Sequence, residues 1–356
     1  MTAAESITPI YRAEDLAERA LELGKAQNLR IAAQKLDRRL LPAHTIFSFW
    51  KQLGVPSGRN GFVPGRELRE GCLVPSIGGG LCQLSNALYD CALKVQATIV
   101  ERHAHSRVIP GSLAEQNRDA TIFWNYIDLR FSHHTAIVFS VHLSEKDLIV
   151  KFLVPPSSPI AESSEAIRGS GLRVLLEESD HSCMTCEQHE CSTHNSKLAV
   201  KLRSTLTAIK PSKRAFIVDT LWPEYFKYIE QHARTNDIFS IPDAWRGMLP
   251  ASVRRGVITA PLQSLTRSLA VRLSAWPHYS APKLREANLR HESLIANALA
   301  KQVPWVCDEL VVSQAYLPWL WKSGFLGARK FQVLMTRYPM RTLHKLLDRA
   351  AARSPN

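Results

Sequence analysis

The strongest local constraint in the chain is Gly78-Gly79-Gly80 set directly before Leu81-Cys82-Gln83-Leu84-Ser85. Consecutive glycines open backbone conformations that a Cβ forbids. Apolar residues then recur at helical spacing through Leu81, Leu84, Leu88, Cys91 and Ala92. The stretch therefore predicts a tight turn feeding a helix, with Cys82 in its first turn. Unpaired N–H groups and the positive end of the helix dipole favour thiolate there. Cys82 is thus a candidate nucleophile. The competing reading makes it a small buried hydrophobe behind a purely architectural turn.

A thiol nucleophile needs an imidazole to handle its proton and an acceptor to orient that imidazole. Residues 96–109, QATIVERHAHSRVI, are rich in β-branched side chains and predict a strand. On a strand, His103 and His105 lie two apart and face the same side. Asp119 heads another strand-like run ending at Trp124. The chain order is therefore nucleophile Cys82, base His105 or His103, and orienting acid Asp119, with backbone N–H groups after Gly80 as oxyanion donors. Cys82, His103 and His105 are also ligand types that zinc accepts, so metal binding is the alternative for this trio.

A second cluster lies at residues 181–194, HSCMTCEQHECSTH. Cys183, Cys186, Cys191 and His194 have C-x2-C-x4-C-x2-H spacing, with His189 as a spare fourth ligand. Two thiols of a CxxC pair can bind one ion, and Cys191 with His194 can close the tetrahedron. The expected cofactor is structural zinc, with an iron–sulfur cluster as the alternative.

Around these signals the elements can be sketched. Helical spacing runs from Ala13 to Leu23 with Gly24 as a stop, and Asn28 fits the N-cap of a second helix ended by Pro42. Glycine and proline density between Ser57 and Gly71 predicts loop. After the cysteine helix, strands are expected at residues 98–109, 120–131, 136–143 and 148–154. A helix followed by consecutive, antiparallel strands is an α+β pattern. Pro155 to Gly171, rich in proline, serine and glycine, reads as a linker.

Beyond it, strands at 214–219 and 309–313 alternate with helices at 223–233 and 282–302 and from Leu317 onward, which suggests a parallel α/β layer. That part resembles half of a glycosyltransferase-like nucleotide-sugar fold, without a glycine-rich phosphate loop. Trp321 to Gly327 reads as a helix C-cap. The expected division is residues 1–154, a linker at 155–180, a metal-binding segment at 181–195, and a basic α/β or mostly helical domain at 196–356.

Residues 28–143 resemble the VanW family. The matching motifs run in order: Phe47-Ser48-Phe49 with Leu53-Gly54; Gly61-Phe62; Gly65-Arg66; GGGLCQLS at 78–85; Leu88-Tyr89; Glu101-Arg102-His103 with His105-Ser106; Gly111; Asp119-Ala120; and Asp128-Leu129 with Phe131. The chain departs from the pattern at His133-His134, where similar sequences carry asparagine. The resemblance implies an α+β domain linked to vancomycin resistance and to the cell envelope. With the cysteine–histidine–acid order, it suggests acyl transfer or amide cleavage on a cell-envelope precursor or other small molecule. The alternative from another class is a non-catalytic, metal-stabilised binding module.

Composition bounds the rest. At 356 residues the chain exceeds one average core, so two domains are expected. From Asn195 onward there are 25 Lys+Arg against 10 Asp+Glu, while the preceding part carries 20 against 22, so the whole basic excess behind the net charge of +13 is C-terminal. Such a surface suits an anionic ligand, including a sugar nucleotide. No zinc-finger, RNA-recognition or helix-turn-helix signature supports nucleic acid. The seven cysteines are clustered, which favours ligands and reactive thiols in a reducing cytoplasm over a disulfide framework. No apolar run of signal-peptide or membrane-helix length is read in the sequence.

Overall fold

The computed structural model describes residues 1–11, 16–69, 72–105, 107–108, 111–155, 174–175, 181–182, 200–201, 204, 206, 213–242, 257–259, 281–336, 338 and 340–353. The chain divides into two units, Met1–Ser212 with Gly324–Arg329, and Lys213–Ser323 with Lys330–Asn356.

The first unit opens with β1 (Thr2–Pro9), followed by α1 (Leu16–Leu36), β2 (Leu40–Leu41), β3 (Phe47–Ser48) and the short helix α2 (Phe49–Leu53). A hairpin of β4 (Pro64–Arg69) and β5 (Cys72–Ile77) leads into α3 (Cys82–Lys94). Then come β6 (Thr98–Glu101), β7 (Arg107–Val108), β8 (Arg130–Ser132), β9 (Ile137–Leu143) and β10 (Asp147–Leu153). Sheet order β1-β10-β9-β2 is antiparallel throughout. Leu148, Val150 and Phe152 alternate inward along β10, as a half-buried strand requires. A second antiparallel sheet, β3-β8-β6, stacks Phe47 on Phe131 at 4.7 Å between ring centroids. The apolar face of α3, including Leu84, Leu88 and Cys91, closes this core.

Several expected elements differ. α1 is one uninterrupted helix, not two broken at Gly24. Gly24 stays helical because its bare Cα packs on β4: a Cβ there would lie 1.8 Å from the Pro64 carbonyl oxygen. Asn28 is no cap. It is fully buried, accepts from the Val63 N–H at 2.9 Å and donates to the Val63 and Gly79 carbonyls at 3.0 and 2.9 Å. The expected loop at 57–71 contains β4. The long strand expected at 98–109 ends at Glu101, after a register shift between Ile99 and Glu101. Within the span read as a linker, β11 (Val174–Leu175) pairs with β7, and at the start of the expected metal-binding segment β12 (His181–Ser182) pairs with β5. Cys183, Cys186, Cys191 and His194 lie outside the described residues. The turn read as a helix C-cap belongs in part to the first unit, where Arg30 donates to the Gly327 carbonyl at 2.9 Å.

The second unit is α/β. Its strands β13 (Lys213–Ile217), β14 (Ile238–Ile241), β15 (Val257–Thr259), β16 (Cys307–Ser313) and β17 (Lys330–Leu334) form a wholly parallel sheet in the order β15-β14-β13-β16-β17. Among its described residues the helices are α4 (Pro223–His232), α5 (Ala281–Gln302), α6 (Leu317–Lys322) and α7 (Met340–Arg353). Tyr225 and Ile229 of α4 pack with Phe216, Phe239 and Val311 on one face. Ser240, which alternates to the other face, donates its hydroxyl to Leu299 of α5 at 3.2 Å. Helices therefore cover both faces, which explains the near-continuous apolar runs of β13 and β16. No helix among the described residues is long and apolar enough to cross a membrane.

Candidate active site

The glycine turn is shaped by how closely other backbone approaches it. A Cβ on Gly79 would sit 2.3 Å from the Gly65 carbonyl oxygen, and Gly80 has φ +92 with Lys25 side-chain atoms filling the space a Cβ would take. The turn ends at Leu81, which precedes α3 without any side-chain cap. Gln83 N–H donates to Gly80 O at 3.1 Å and Leu84 N–H to Leu81 O at 3.0 Å. The N–H groups of Leu81 and Cys82 find no acceptor among the described residues. Cys82 is half-buried in the first turn, with its Sγ 3.9 Å from the Ile122 carbonyl oxygen.

α3 then fixes the segment opposite. Ser85 Oγ donates to Ala120 O at 2.5 Å, while the Ala120 N–H donates to Asn86 Oδ1 at 2.8 Å. Ala120 is thereby held through both of its backbone groups, and the neighbouring Asp119 is carried to a fully buried position. Asp119 Oδ2 meets His105 Nδ1 at 2.7 Å and accepts the His105 backbone N–H at 2.8 Å. Asp119 Oδ1 accepts from Arg102 Nη2 at 2.8 Å, and Arg102 Nε also donates to the Asp119 carbonyl at 2.7 Å. The Arg102 guanidinium lies 5.0 Å over the Tyr89 ring of α3. Each oxygen of the buried carboxylate thus meets a partner, two atoms of His105 at Oδ2 and Arg102 at Oδ1.

Burial pushes the His105 pKa down, but hydrogen bonds to Asp119 and to the Cys82 thiol, with their charges, outweigh it and lift the value to about 9. His105 is therefore the imidazole that Asp119 holds and that shares a cavity wall with Cys82. His103 takes no part: it is 52% exposed and faces Glu101 Oε1 at 3.6 Å, while its carbonyl accepts the Thr121 N–H. The same-face expectation for the two histidines fails because β6 ends before them. For the same reason Cys82, His103 and His105 do not gather as a metal site, and the described residues hold no cluster of three or more such ligands.

Cys82 and His105 line a cavity of about 790 Å³ together with the glycine turn, Trp50 and Trp124. The two tryptophans meet edge to face at 5.4 Å. Thr121 Oγ1 also borders this cavity and is buried without a hydrogen-bond partner among the described residues. Arg102, Ser85, Asn86 and Thr121 were not singled out from sequence for their roles here. Of these, only Arg102 and Ser85 stood within the ordered motifs.

The first unit is thus an α+β domain built around a cysteine–histidine–aspartate arrangement in an open cavity. Residues 24–153 match the VanW family model, described as VanW like protein, and this part of the chain is a VanW-family domain. Over 109 residues the chain is 28% identical to the "Uncharacterized protein YoaR" of Bacillus subtilis, covering 31% of this chain and 35% of that protein. Over 128 residues it is 30% identical to the "Vancomycin B-type resistance protein VanW" of Enterococcus faecalis, covering 35% of this chain and 46% of that protein. The chain thus spans less than half the length of these curated relatives. No solved structure gives a significant match.

Proposed function

We propose that the VanW-family domain is a cysteine-dependent acyl-transfer or amide-cleaving enzyme. The observation that carries this reading is buried Asp119 bonded to His105 Nδ1, with His105 and Cys82 lining the same open cavity and Cys82 helping to raise the His105 pKa. His105 takes the Cys82 proton, the thiolate Sγ attacks a carbonyl carbon, and the free N–H groups of Leu81 and Cys82 receive the oxygen as it becomes an anion. The C–N bond breaks, His105 gives its proton to the departing amine, and a thioester to Cys82 remains. Water or an acceptor amine then attacks the thioester and gives a proton to His105, and the C–S bond breaks to release Cys82 as the thiolate. Asp119 keeps the imidazole in place and offsets its positive charge, and Arg102 balances Asp119 in turn. The vancomycin-resistance name of one relative supports a cell-envelope precursor bearing an amide as substrate.

The test is alkylation of the native full-length protein with iodoacetamide, read by peptide mass spectrometry. Cys82 should be labelled ahead of Cys72, Cys91 and Cys307. Cys91 is fully buried and its thiol is pushed well up by burial and by Asp90, and Cys307 is also fully buried. His105→Ala should slow Cys82 labelling while His103→Ala leaves it unchanged. Native labelling that spares Cys82 but reaches Cys72 would refute the proposal.

A further inference from the structure

The second unit carries features of a site of its own, unrelated to the cysteine. Its chain enters at β13, winds outward through β14 and β15, then returns to the other side of β13 as β16 and continues to β17. The direction of winding reverses between β13 and β16. At such a switch point the loops leaving the two strands turn toward opposite faces of the sheet, and a crevice opens beyond the strands' C-terminal ends.

Asp219 and Ser313 stand at that place. Asp219 follows β13 by two residues, Ser313 ends β16, and the Asp219 N–H donates to Ser313 Oγ at 3.2 Å. Asp219 Oδ1 is buried and has no hydrogen-bond partner among the described residues. A buried carboxylate oxygen without a donor is costly, and because Asp219 as a residue is only half-buried, a donor can approach its carboxylate from the crevice. The surroundings argue against a phosphate as that ligand. The connection Val218–Trp222 contains no glycine, and Glu224 occupies the first turn of α4, where a phosphate would otherwise be received. Trp222, the N-cap residue of α4, is 48% exposed three residues beyond Asp219. A carboxylate acceptor with an exposed aromatic side chain three residues on is chemistry that can receive a ring bearing hydroxyl groups.

We infer that the crevice between the ends of β13 and β16 binds a hydroxylated ring, either a ribose or a pyranose, with Asp219 accepting from its hydroxyls and Trp222 offering a stacking face. The experiment is saturation-transfer NMR and titration of the full chain with adenosine, 2′,3′-dideoxyadenosine and methyl α-D-glucopyranoside. Adenosine or the glucopyranoside should bind, which distinguishes a ribose from a pyranose source, and dideoxyadenosine should not. Asp219→Asn keeps the side chain's size and should weaken binding roughly tenfold or more, as loss of a hydrogen bond to a charged group does. Trp222→Ala, at an exposed position, should weaken it as well while leaving Cys82 alkylation unchanged. Failure of both probes to bind, equal binding of adenosine and its dideoxy form, or wild-type affinity in both variants would overturn the inference.

Discussion

Asp119→Asn tests the link between the buried acid and His105 most directly. In the wild type, Asp119 accepts from the His105 backbone, His105 Nδ1 and Arg102 Nη2 with no solvent access. Asparagine offers one acceptor oxygen, and its amide must turn toward a donor. Breaking a buried charged pair in this way costs about 3–5 kcal/mol. Part of that cost depends on pH. His105 has a folded pKa of about 9 against an ordinary 6.5. At about 1.4 kcal/mol per pH unit, its protonated form contributes on the order of 3 kcal/mol, shared between Asp119 and Cys82. The pKa is raised on folding, so this contribution is fully present below the unfolded value of 6.5 and is lost as pH rises through about 9. Urea unfolding of wild type and Asp119→Asn should therefore show a stability gap roughly 1–3 kcal/mol larger near pH 6 than near pH 10. Imidazole NMR should show His105 of the variant titrating well below the wild-type value, and Cys82→Ser should lower it by a separate increment. An equal gap at both pH values, with His105 of the variant still titrating near 9, would refute the reasoning.

Gly79→Ala should destabilise the first unit by about 3 kcal/mol, the upper end of what overpacking costs, because its Cβ would meet the backbone of Gly65 and Arg66 rather than a movable side chain. Thermal or urea melts of the full chain measure it, and a loss below about 1 kcal/mol would mean the turn relaxes freely. For residues 183–194 we propose structural zinc held by Cys183, Cys186, Cys191 and His194, so elemental analysis of anaerobically purified protein should find stoichiometric metal. Neither zinc nor iron, together with an unchanged melt of the triple Cys→Ala variant, would remove the site.

Local sequence carried the elements whose physics is local. The glycine turn and the apolar spacing after it place Cys82 at the first position of α3, and the alternating runs of β9 and β10 and the apolar runs of β13 and β16 read as strands. β1 was not legible, since its inward positions are Ala4, Ser6 and Thr8 while Ile7 faces outward, which inverts the pattern a strand normally shows. α1 looked broken because Gly24 and Asn28 carry the signals of a stop and a start. Only its packing against β4 reveals that the glycine makes room for a carbonyl and the asparagine binds the turn below Cys82.

The candidate site divides the same way. Residue types and their order pointed to Cys82, a histidine and Asp119, but the choice of His105 over His103 depended on where β6 stops and on the bonds that draw Ala120 against α3. Arg102 and Thr121 acquire their roles only across that contact. In the second unit the strands were readable one by one, yet Asp219 stands at a switch point only because β16 returns to the far side of β13. Periodicity reports which face of an element is buried. It holds no record of which distant element that face meets, and here that pairing places the charges and the open crevices.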